Sequence, residues 1–367
     1  MNEQVQITSS PQYHDRLSTA GIMWTVSACL VPATAWGVYV FGLRALWVVI
    51  ASIAAAVASE YLAGLVLKRF TLADGSAVLT GLLIGMNMPP AVPFYIPVIA
   101  SVFAILVVKW TFGGLGSNWM NPALAGRVFV FFSWTGPMTT WTMPRTLPVV
   151  DGFTSATYLG VVKTGATESA GATGGPLALL ERVGFPRSNL DTVVTDWLNS
   201  ALLEPLGIEL PFGYVDPFIG NIPGSIGEIS ALLLLLGAVY LFARRIITWE
   251  ISATYFLSFG LLTWIFGGLI HGGGAFTGDV LFHALSGGLM LAIFFMATDM
   301  ATSPMTRKGL LIYGAGAGFL TFLIRTYGSF PEGASLAIIL MNVFVPLINR
   351  ATQPSRFGVQ KVEEAES

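Results

Sequence analysis

The sequence predicts an all-α polytopic membrane protein. Hydrophobic residues make up 54% of the 367 residues and charged residues only 10%, whereas soluble globular proteins carry about 25% charged residues. Uncharged runs cover residues 17–43, 75–108 and 251–270, and each is long enough for the ~20 residues that cross a bilayer. A soluble domain could not bury this much apolar surface, so lipid must be the solvent.

We predict ten transmembrane or half-membrane segments, five on each side of a polar region. They cover 21–42, 45–66, 76–86, 95–110 and 122–134, and then 228–242, 248–270, 280–297, 310–324 and 334–347. The third and fourth segments are separate because Met88-Pro89-Pro90-Ala91-Val92-Pro93 lies between them, and proline cannot continue a helix. Ser225 and Glu228 have the spacing of a capping box, which predicts that the sixth segment opens there.

The same pattern divides the chain into five regions. These are an N-terminal cytoplasmic segment (1–20), a first membrane half (21–135), an extracytoplasmic lobe (136–223), a second membrane half (224–350) and a cytoplasmic tail (351–367). The lobe collects acidic residues among Gly, Ser, Thr and Pro, and it is too long to be a simple connection.

Lysine and arginine predict the orientation, because they favour cytoplasmic loops. With both termini in the cytoplasm, most of the basic residues lie at inner ends, including Lys109, whose charge we expect to reach the membrane surface. This arrangement predicts a multi-pass protein of the cell inner (plasma) membrane. Five segments per half also predict two inverted repeats, with 79–83 and 285–289 as the matching pieces of sequence.

A polar stretch of small residues, Asp151-Gly152-Phe153-Thr154-Ser155-Ala156-Thr157, lies between the long apolar blocks. Ala-Thr pairs end at Thr157, Thr167 and Thr173, and only Thr157 has an acidic residue six positions earlier. We expect the Thr157 hydroxyl to be exposed, with small neighbours and a carboxylate nearby. The alternative interpretation is an ordinary Ser/Thr-rich surface turn.

Motifs along most of the chain resemble the family that contains the D-type subunit of the Rnf complex and the B-type subunit of the Nqr complex. They include Asn87-Met88-Pro89-Pro90, Phe112-Gly113-Gly114-Leu115-Gly116, Asn121-Pro122-Ala123-Leu124, Gly220-Asn221-Ile222-Pro223-Gly224-Ser225-Ile226-Gly227-Glu228 and Ala297-Thr298-Asp299-Met300. The chain is closer to the Rnf D-type protein, since it lacks the longer N-terminal extension of the Nqr protein.

The resemblance implies that a flavin transferase joins the phosphate of FMN to the hydroxyl of Thr157. Asp151, Ser155 and Ala156 would then belong to the signal that the transferase reads. Ser155 stands where the family commonly has Gly, and an apparent insertion leaves Thr173 as the reserve attachment site. The resemblance also implies a second, non-covalent flavin, riboflavin, in the membrane part.

The implied function is electron transfer within a complex that couples ferredoxin:NAD oxidoreduction to the movement of Na⁺ or H⁺. Its partners would be other membrane subunits, iron–sulfur and flavin subunits and the lipid bilayer, with no nucleic acid. The protein would not act alone, and no residue of it is expected to be catalytic. Two alternatives stay open: a channel or secondary transporter for a small solute, and a structural membrane anchor for redox partners.

Three further places are candidates on their residue types. The turn containing Gly113, Gly114 and Gly116 either offers backbone N–H groups to an anion or a flavin edge or allows close helix packing in lipid. Glu60, inside the second segment, either lines an ion path or is an ordinary buried charge, and Asp299 either caps a turn or supplies oxygen ligands to a cation. No metal site is expected, because Cys29 is the only cysteine and the three histidines show no ligand spacing.

Overall fold

The computed structural model describes residues 18–147, 156–168, 175–270, 274–328 and 332–354. Within these ranges the chain is helical and contains no β-strand. Five helices are long and apolar enough to cross a membrane: Thr19–Phe41 (α1), Leu43–Leu67 (α2), Trp249–Ile270 (α12), Arg307–Tyr327 (α15) and Ala334–Ala351 (α16). The architecture therefore fits a multi-pass membrane protein.

Shorter helices complete the first half. They are Ser76–Met86 (α3), Tyr95–Val102 (α4), which continues as a π-helix over Phe103–Trp110, and Pro122–Ser133 (α5). The prolines after α3 end it as the sequence predicts. Asn121 begins α5, because its side-chain oxygen accepts the N–H groups of Ala123 and Leu124 and Pro122 follows at the first helical position.

Between the two halves the described residues form a lobe of short helices. They are Thr135–Met138 (α6), Tyr158–Glu168 (α7), Gly175–Arg182 (α8), Asn189–Leu198 (α9) and Val215–Ile219 (α10). Asp191 holds the last two together: its buried carboxylate accepts the N–H groups of Gly213, Val215 and Asp216 at 2.8, 2.9 and 3.3 Å. The lobe packs on the second half through Tyr158, whose ring stacks on Phe282 at 6.3 Å.

The second half contains Ala231–Ala243 (α11), then α12, Val280–Leu285 (α13), Leu289–Leu291 (α14), α15 and α16. The single segment predicted over 280–297 is wrong in one respect, since it breaks at Ser286 and resumes after Gly287 and Gly288. Both glycines have positive φ, 68° and 67°, a conformation that other residues adopt only with strain. A π-helix over Ala292–Met296 follows α14.

The start of α11 is also three residues later than predicted. Ser230 caps the helix by accepting the N–H of Leu233, while Ser225 and Glu228 lie before it in irregular chain. Here the N–H groups of Ile226 and Gly227 donate to the carbonyls of Met88 and Met86. The capping-box interpretation is therefore wrong: this segment pairs with the last residue of α3 and the chain just after it.

The two halves share one packing relation. The second segment contacts the fourth, and the fourth contacts the fifth, in both halves: α2 with α4 and α4 with α5, α12 with α15 and α15 with α16. An inverted repeat predicts this correspondence. The repeat itself and the count of ten segments stay predictions.

Candidate functional site

Thr157 lies at the N-terminus of α7, next to the membrane helices. Its Oγ1 accepts the Gly160 N–H at 3.1 Å, which is the bond of a helix cap. Only 5% of the residue is exposed, so the expectation of an exposed hydroxyl is wrong. The cause is tertiary: Tyr158 and Leu159 are buried in the hydrophobic core beside Thr157.

Of the remaining residues of the predicted flavin signal, the structure describes only Ala156. Ala156 is half-buried and packs against the core. Asp151, Ser155 and the reserve site Thr173 lie outside the described residues. Thr157 and the membrane helices beside it form the described part of the site.

A charged side chain fixes the position of α7. The Lys163 Nζ atom donates to the backbone carbonyls of Arg325, at 3.0 Å, and Gly328, at the C-terminal end of α15. Cations are favourable at helix C-termini. Burial lowers the pKa of the Lys163 ammonium below its ordinary value.

A small cavity of about 10 Å³ adjoins Thr157. Its lining includes Ser225 and Glu228 from the segment before α11, and Ser286 from the break after α13. Ser225 and Ser286 are fully buried, and Glu228 is 7% exposed. A volume of this size holds about one water molecule.

Arg127, on α5, links two carboxylates at this cavity. Its Nη1 lies 3.3 Å from Glu228 Oε1 and its Nη2 lies 2.6 Å from Glu332 Oε2, while Nη1 also donates to Ser335 Oγ at 2.5 Å. All these groups are largely buried, so the attraction is poorly screened by solvent. The cluster joins α5 of the first half to the start of α16 in the second half.

Arg325 is the other cation near this cluster. Its Nη1 and Nη2 atoms each donate at 2.7 Å, to the carbonyls of His283 and Gly287. These carbonyls belong to the end of α13 and the break that follows it, so Arg325 stabilises the non-helical chain that lines the cavity.

Glu60 and Lys109 form a second buried charge cluster, in the first half. Lys109 Nζ lies 2.8 Å from Glu60 Oε1 and 2.7 Å from Ser76 Oγ, and Trp110 Nε1 donates to Glu60 Oε2 at 2.9 Å. Thr71 donates to the same carboxylate. Lys109 is 1% exposed, so the expectation that it reaches the membrane surface is wrong. Donors to both oxygens of Glu60 favour the ordinary-buried-charge interpretation.

A larger cavity of about 450 Å³ lies beyond this cluster. Its mostly apolar lining includes Lys109, Gly116, Asn121 and Asp299, so two of the predicted sites, the glycine turn and Asp299, come together. It contacts the end of α16 near Asn349, whereas the Thr157 cavity lies near the start of that helix.

The glycine turn and Asp299 have well-defined local structure. Gly113, Gly114 and Gly116 all have positive φ, at 113°, 98° and 87°, which explains why glycine occupies these positions. Asp299 accepts the Ala301 N–H and the Thr302 hydroxyl, at 3.4 and 3.0 Å. It therefore caps its turn, one of the two roles predicted for it.

Three site residues were missed by sequence reasoning. Arg127 gave a signal, since it is a charge inside a predicted membrane segment, and such residues commonly have a buried partner. Glu332 and Ser286 gave none, because their importance comes from contacts with residues distant along the chain. Among the described residues no group of three or more His, Cys, Asp and Glu could hold a metal ion, and the expectation of no metal site stays a prediction.

Known proteins resemble this chain over nearly its whole length. The chain is 42% identical over 356 residues to the D subunit of a proton-translocating ferredoxin:NAD(+) oxidoreductase complex of Clostridium ljungdahlii, covering 97% of this chain and 96% of that protein. It is 40% identical over 368 residues to the D subunit of the Na(+)-translocating ferredoxin:NAD(+) oxidoreductase complex of Acetobacterium woodii, covering 99% of each. The D subunit of an ion-translocating oxidoreductase complex of Stutzerimonas stutzeri is 38% identical over 350 residues, 94% of this chain and 93% of that protein.

A family model agrees with these relatives. The model described as the NQR2, RnfD, RnfE family matches residues 6–358, which includes both membrane halves, the lobe and the two cavities described above. The chain therefore belongs to the NQR2, RnfD, RnfE family.

Proposed function

We propose that this protein is the membrane electron-carrier subunit of an ion-translocating ferredoxin:NAD⁺ oxidoreductase complex. The observation that carries the proposal is the near-full-length identity to proteins named as D subunits of such complexes. The partners are the other membrane subunits and the iron–sulfur and flavin subunits, in the inner membrane, with both termini cytoplasmic. The coupled ion is Na⁺ or H⁺, since the relatives' names include both.

FMN attached to Thr157 is the cofactor part of this proposal. The site fits a phosphoester in its chemistry, because a phosphate is favoured at the N-terminus of an 11-residue helix. Gly160 is consistent with this role, since a Cβ there would lie 3.2 Å from Thr157 Oγ1 and would crowd that oxygen. A cavity of about 10 Å³ has no room for a phosphate, so the modified Oγ1 must point away from it.

The bound flavin would supply one- and two-electron redox chemistry. The chain's own contribution is position. α7 is held by Lys163 to the end of α15 and by Tyr158 to Phe282, so the attachment residue occupies a fixed place beside the second membrane half. Burial beside Leu159 removes Thr157 from bulk solvent.

A riboflavin in the larger cavity is the second part. A volume of about 450 Å³ with a mostly apolar lining is in the usual range of about 300–1,000 Å³ for sites that hold small molecules. Gly116 contributes part of that lining, and Asn121 offers a polar side chain. From Ser335 to Asn349 along α16 is about 21 Å at 1.5 Å per residue, so the two flavin sites would lie near opposite ends of one helix.

Two carboxylates are the candidates for the ion path. Asp299 lines the larger cavity and stays a candidate for it. Glu60 stays a candidate only if its three donors separate during turnover, since both of its oxygens are bonded.

The test is in-gel fluorescence of the denatured protein, purified from cells that contain an active flavin transferase. We expect a fluorescent band that Thr157→Ala abolishes. The matched control is Thr164→Ala, two turns along α7, where the hydroxyl donates to carbonyls of its own helix. Fluorescence retained in Thr157→Ala and lost in Thr173→Ala would move the attachment to the reserve site, and a dark wild-type band would favour the solute transporter.

A further inference from the structure

Helix α9 of the lobe buries polar side chains and exposes apolar ones. Asp191 and Thr195, one turn apart, are both 0% exposed, and the Asp191 carboxylate accepts three backbone N–H groups from the chain around α10. On another side of the helix, Leu190, Val193 and Trp197 are 47%, 67% and 59% exposed. A surface helix ordinarily buries its apolar side. The polar side chains therefore hold α9 in the lobe while its apolar residues face outward.

The outward apolar residues form one row, which we call the α9 face. Leu190, Val193 and Trp197 have the spacing i, i+3 and i+7 of a single helix side, and the row is about 10 Å long at 1.5 Å per residue. Just beyond it, Leu202 and Ile208 are 53% and 57% exposed. Single exposed apolar residues are common, but a contiguous group of them marks a surface that another molecule covers.

The charges around the α9 face are negative. Residues 175–227 include six acidic and two basic residues, a net charge of −4. One of the basic residues, Arg187, is already paired with a glutamate at 3.3 Å, and no Lys, Arg or His occurs between it and the end of α11. Asp196, Glu204 and Glu209 are exposed. The elements that contact α9, its π-helical continuation and α10, also contain no basic residue.

A lipid surface fits this face poorly. Helices that lie on a membrane carry Lys and Arg on their polar side and are attracted to anionic headgroups. The exposed polar residues of α9 and its continuation include Thr192, Asp196 and Ser200, and none of these is basic. An anionic membrane surface would repel the negative charges beside the α9 face.

A second copy of the chain fits no better. A two-fold contact places the same surface on both sides, so the negative charges around the two α9 faces would lie opposite each other and repel. A different protein, with Lys or Arg around an apolar centre, is complementary to both the apolar row and its charged surroundings. Trp197 suits such a contact, because tryptophan is enriched among the residues that contribute most to binding in protein interfaces.

We propose that the α9 face docks another subunit, whose contacting surface is apolar at its centre and carries Lys or Arg at its rim. The inference rests on the proposed function in one respect, that this chain works as one subunit of a complex, and it requires no flavin. α10 contacts both α9 and α11. A subunit bound to α9 is therefore connected to the membrane helices through one intervening helix.

The test is photo-cross-linking of the complex isolated from its native membrane, with p-benzoylphenylalanine in place of Trp197. We expect a light-dependent adduct with another subunit, and mass spectrometry should locate it in a peptide that contains or adjoins Lys or Arg. The matched control has the same probe at Thr192, which is exposed on the polar side of α9, and its yield should be at least fivefold lower. Adding Asp196→Asn and Glu204→Gln to the Trp197 probe removes two exposed negative charges, so its yield should fall at least threefold.

Several results would overturn the docking surface. They are a Trp197 probe that captures only lipid, only a second copy of this chain or nothing, and a yield less than fivefold above that of the Thr192 probe. A fall of less than threefold on removing the two acidic charges contradicts the basic rim. Size-exclusion chromatography checks that each variant is folded. If companion subunits co-purify with the chain but the Trp197 probe captures none of them, only the docking surface fails, whereas a wild-type chain that purifies without companions contradicts the proposed function as well.

Discussion

Replacing Lys109 with Met should strongly destabilise the first membrane half. The Lys109–Glu60 pair has an N–O distance of 2.8 Å, with 2% and 0% of the two side chains exposed. At an effective dielectric constant of about 20, two unit charges at this distance attract by about 6 kcal/mol. Part of this offsets the desolvation of both ions, and breaking such a pair from one side typically costs about 3–5 kcal/mol.

The assay is the loss of monodisperse protein by size-exclusion chromatography after heating in detergent. We expect Lys109→Met to lower the Tm by at least ~5 °C, because a ΔΔG of 1 kcal/mol moves the Tm by roughly 2–4 °C in domains of moderate size. Lys308→Met removes the same type of charge from an exposed position and should leave the Tm within ~1 °C.

The double variant Glu60→Gln/Lys109→Met separates the charge from the packing. With the carboxylate neutralised, no uncompensated ion stays buried, so at least half of the lost stability should return. If Lys109→Met alone is as stable as the wild type, the pair is not a structural clamp. The interpretation of Glu60 as a mobile ion ligand would then be preferred.

Three further predictions concern the lobe and the cavity beside Thr157. Gly288→Ala should lower the Tm clearly more than Gly207→Ala. The two glycines have the same backbone strain, with φ of 67° and 66°, but only at Gly288 would the added Cβ lie 2.5 Å from the Glu228 carboxylate. Equal losses of Tm would show that backbone strain alone accounts for the effect. Asp191→Ala removes the acceptor of three backbone N–H groups, so limited proteolysis should cut the lobe at least tenfold faster while the membrane helices stay intact. An unchanged rate of cleavage would show that Asp191 does not hold α9 and α10 together. Burial lowers the pKa of Lys163 from 10.5, so the folded chain binds this proton less tightly than the unfolded chain. Protease protection of α7 should therefore rise with pH up to about pH 10.5. Lys163→Met should flatten this rise, and the same slope in the variant and the wild type would contradict the prediction.

The sequence was sufficient for the elements whose limits depend on local chemistry. Pro89 and Pro90 end α3, and Asn121 with Pro122 begins α5, so both helices lie where the pattern predicts them. Ser225 and Glu228 show the limit of such reasoning. Their spacing is that of a capping box, but the segment pairs with backbone near Met88, and Ser230 caps the helix instead.

The candidate site was harder to predict, because its contacts join distant parts of the chain. Glu60 and Lys109 are 49 positions apart, and Arg127 and Glu332 are 205 apart. Sequence identifies each as a charge in an apolar setting, without its partner. The burial of Thr157 has the same origin, since a stretch of Ser, Ala and Thr is typical of surface turns, and only packing of the next two residues on the second half removes it from solvent.

The contact between Lys163 and the last carbonyls of α15 has a mechanical consequence. Through this contact, α7 connects Thr157 to the C-terminal end of the long apolar helix α15. If α7 is displaced, either α15 tilts with it or the hydrogen bonds of Lys163 to the carbonyls of Arg325 and Gly328 break. A movement of α7 would therefore be transmitted to the end of α15, where Arg325 lies.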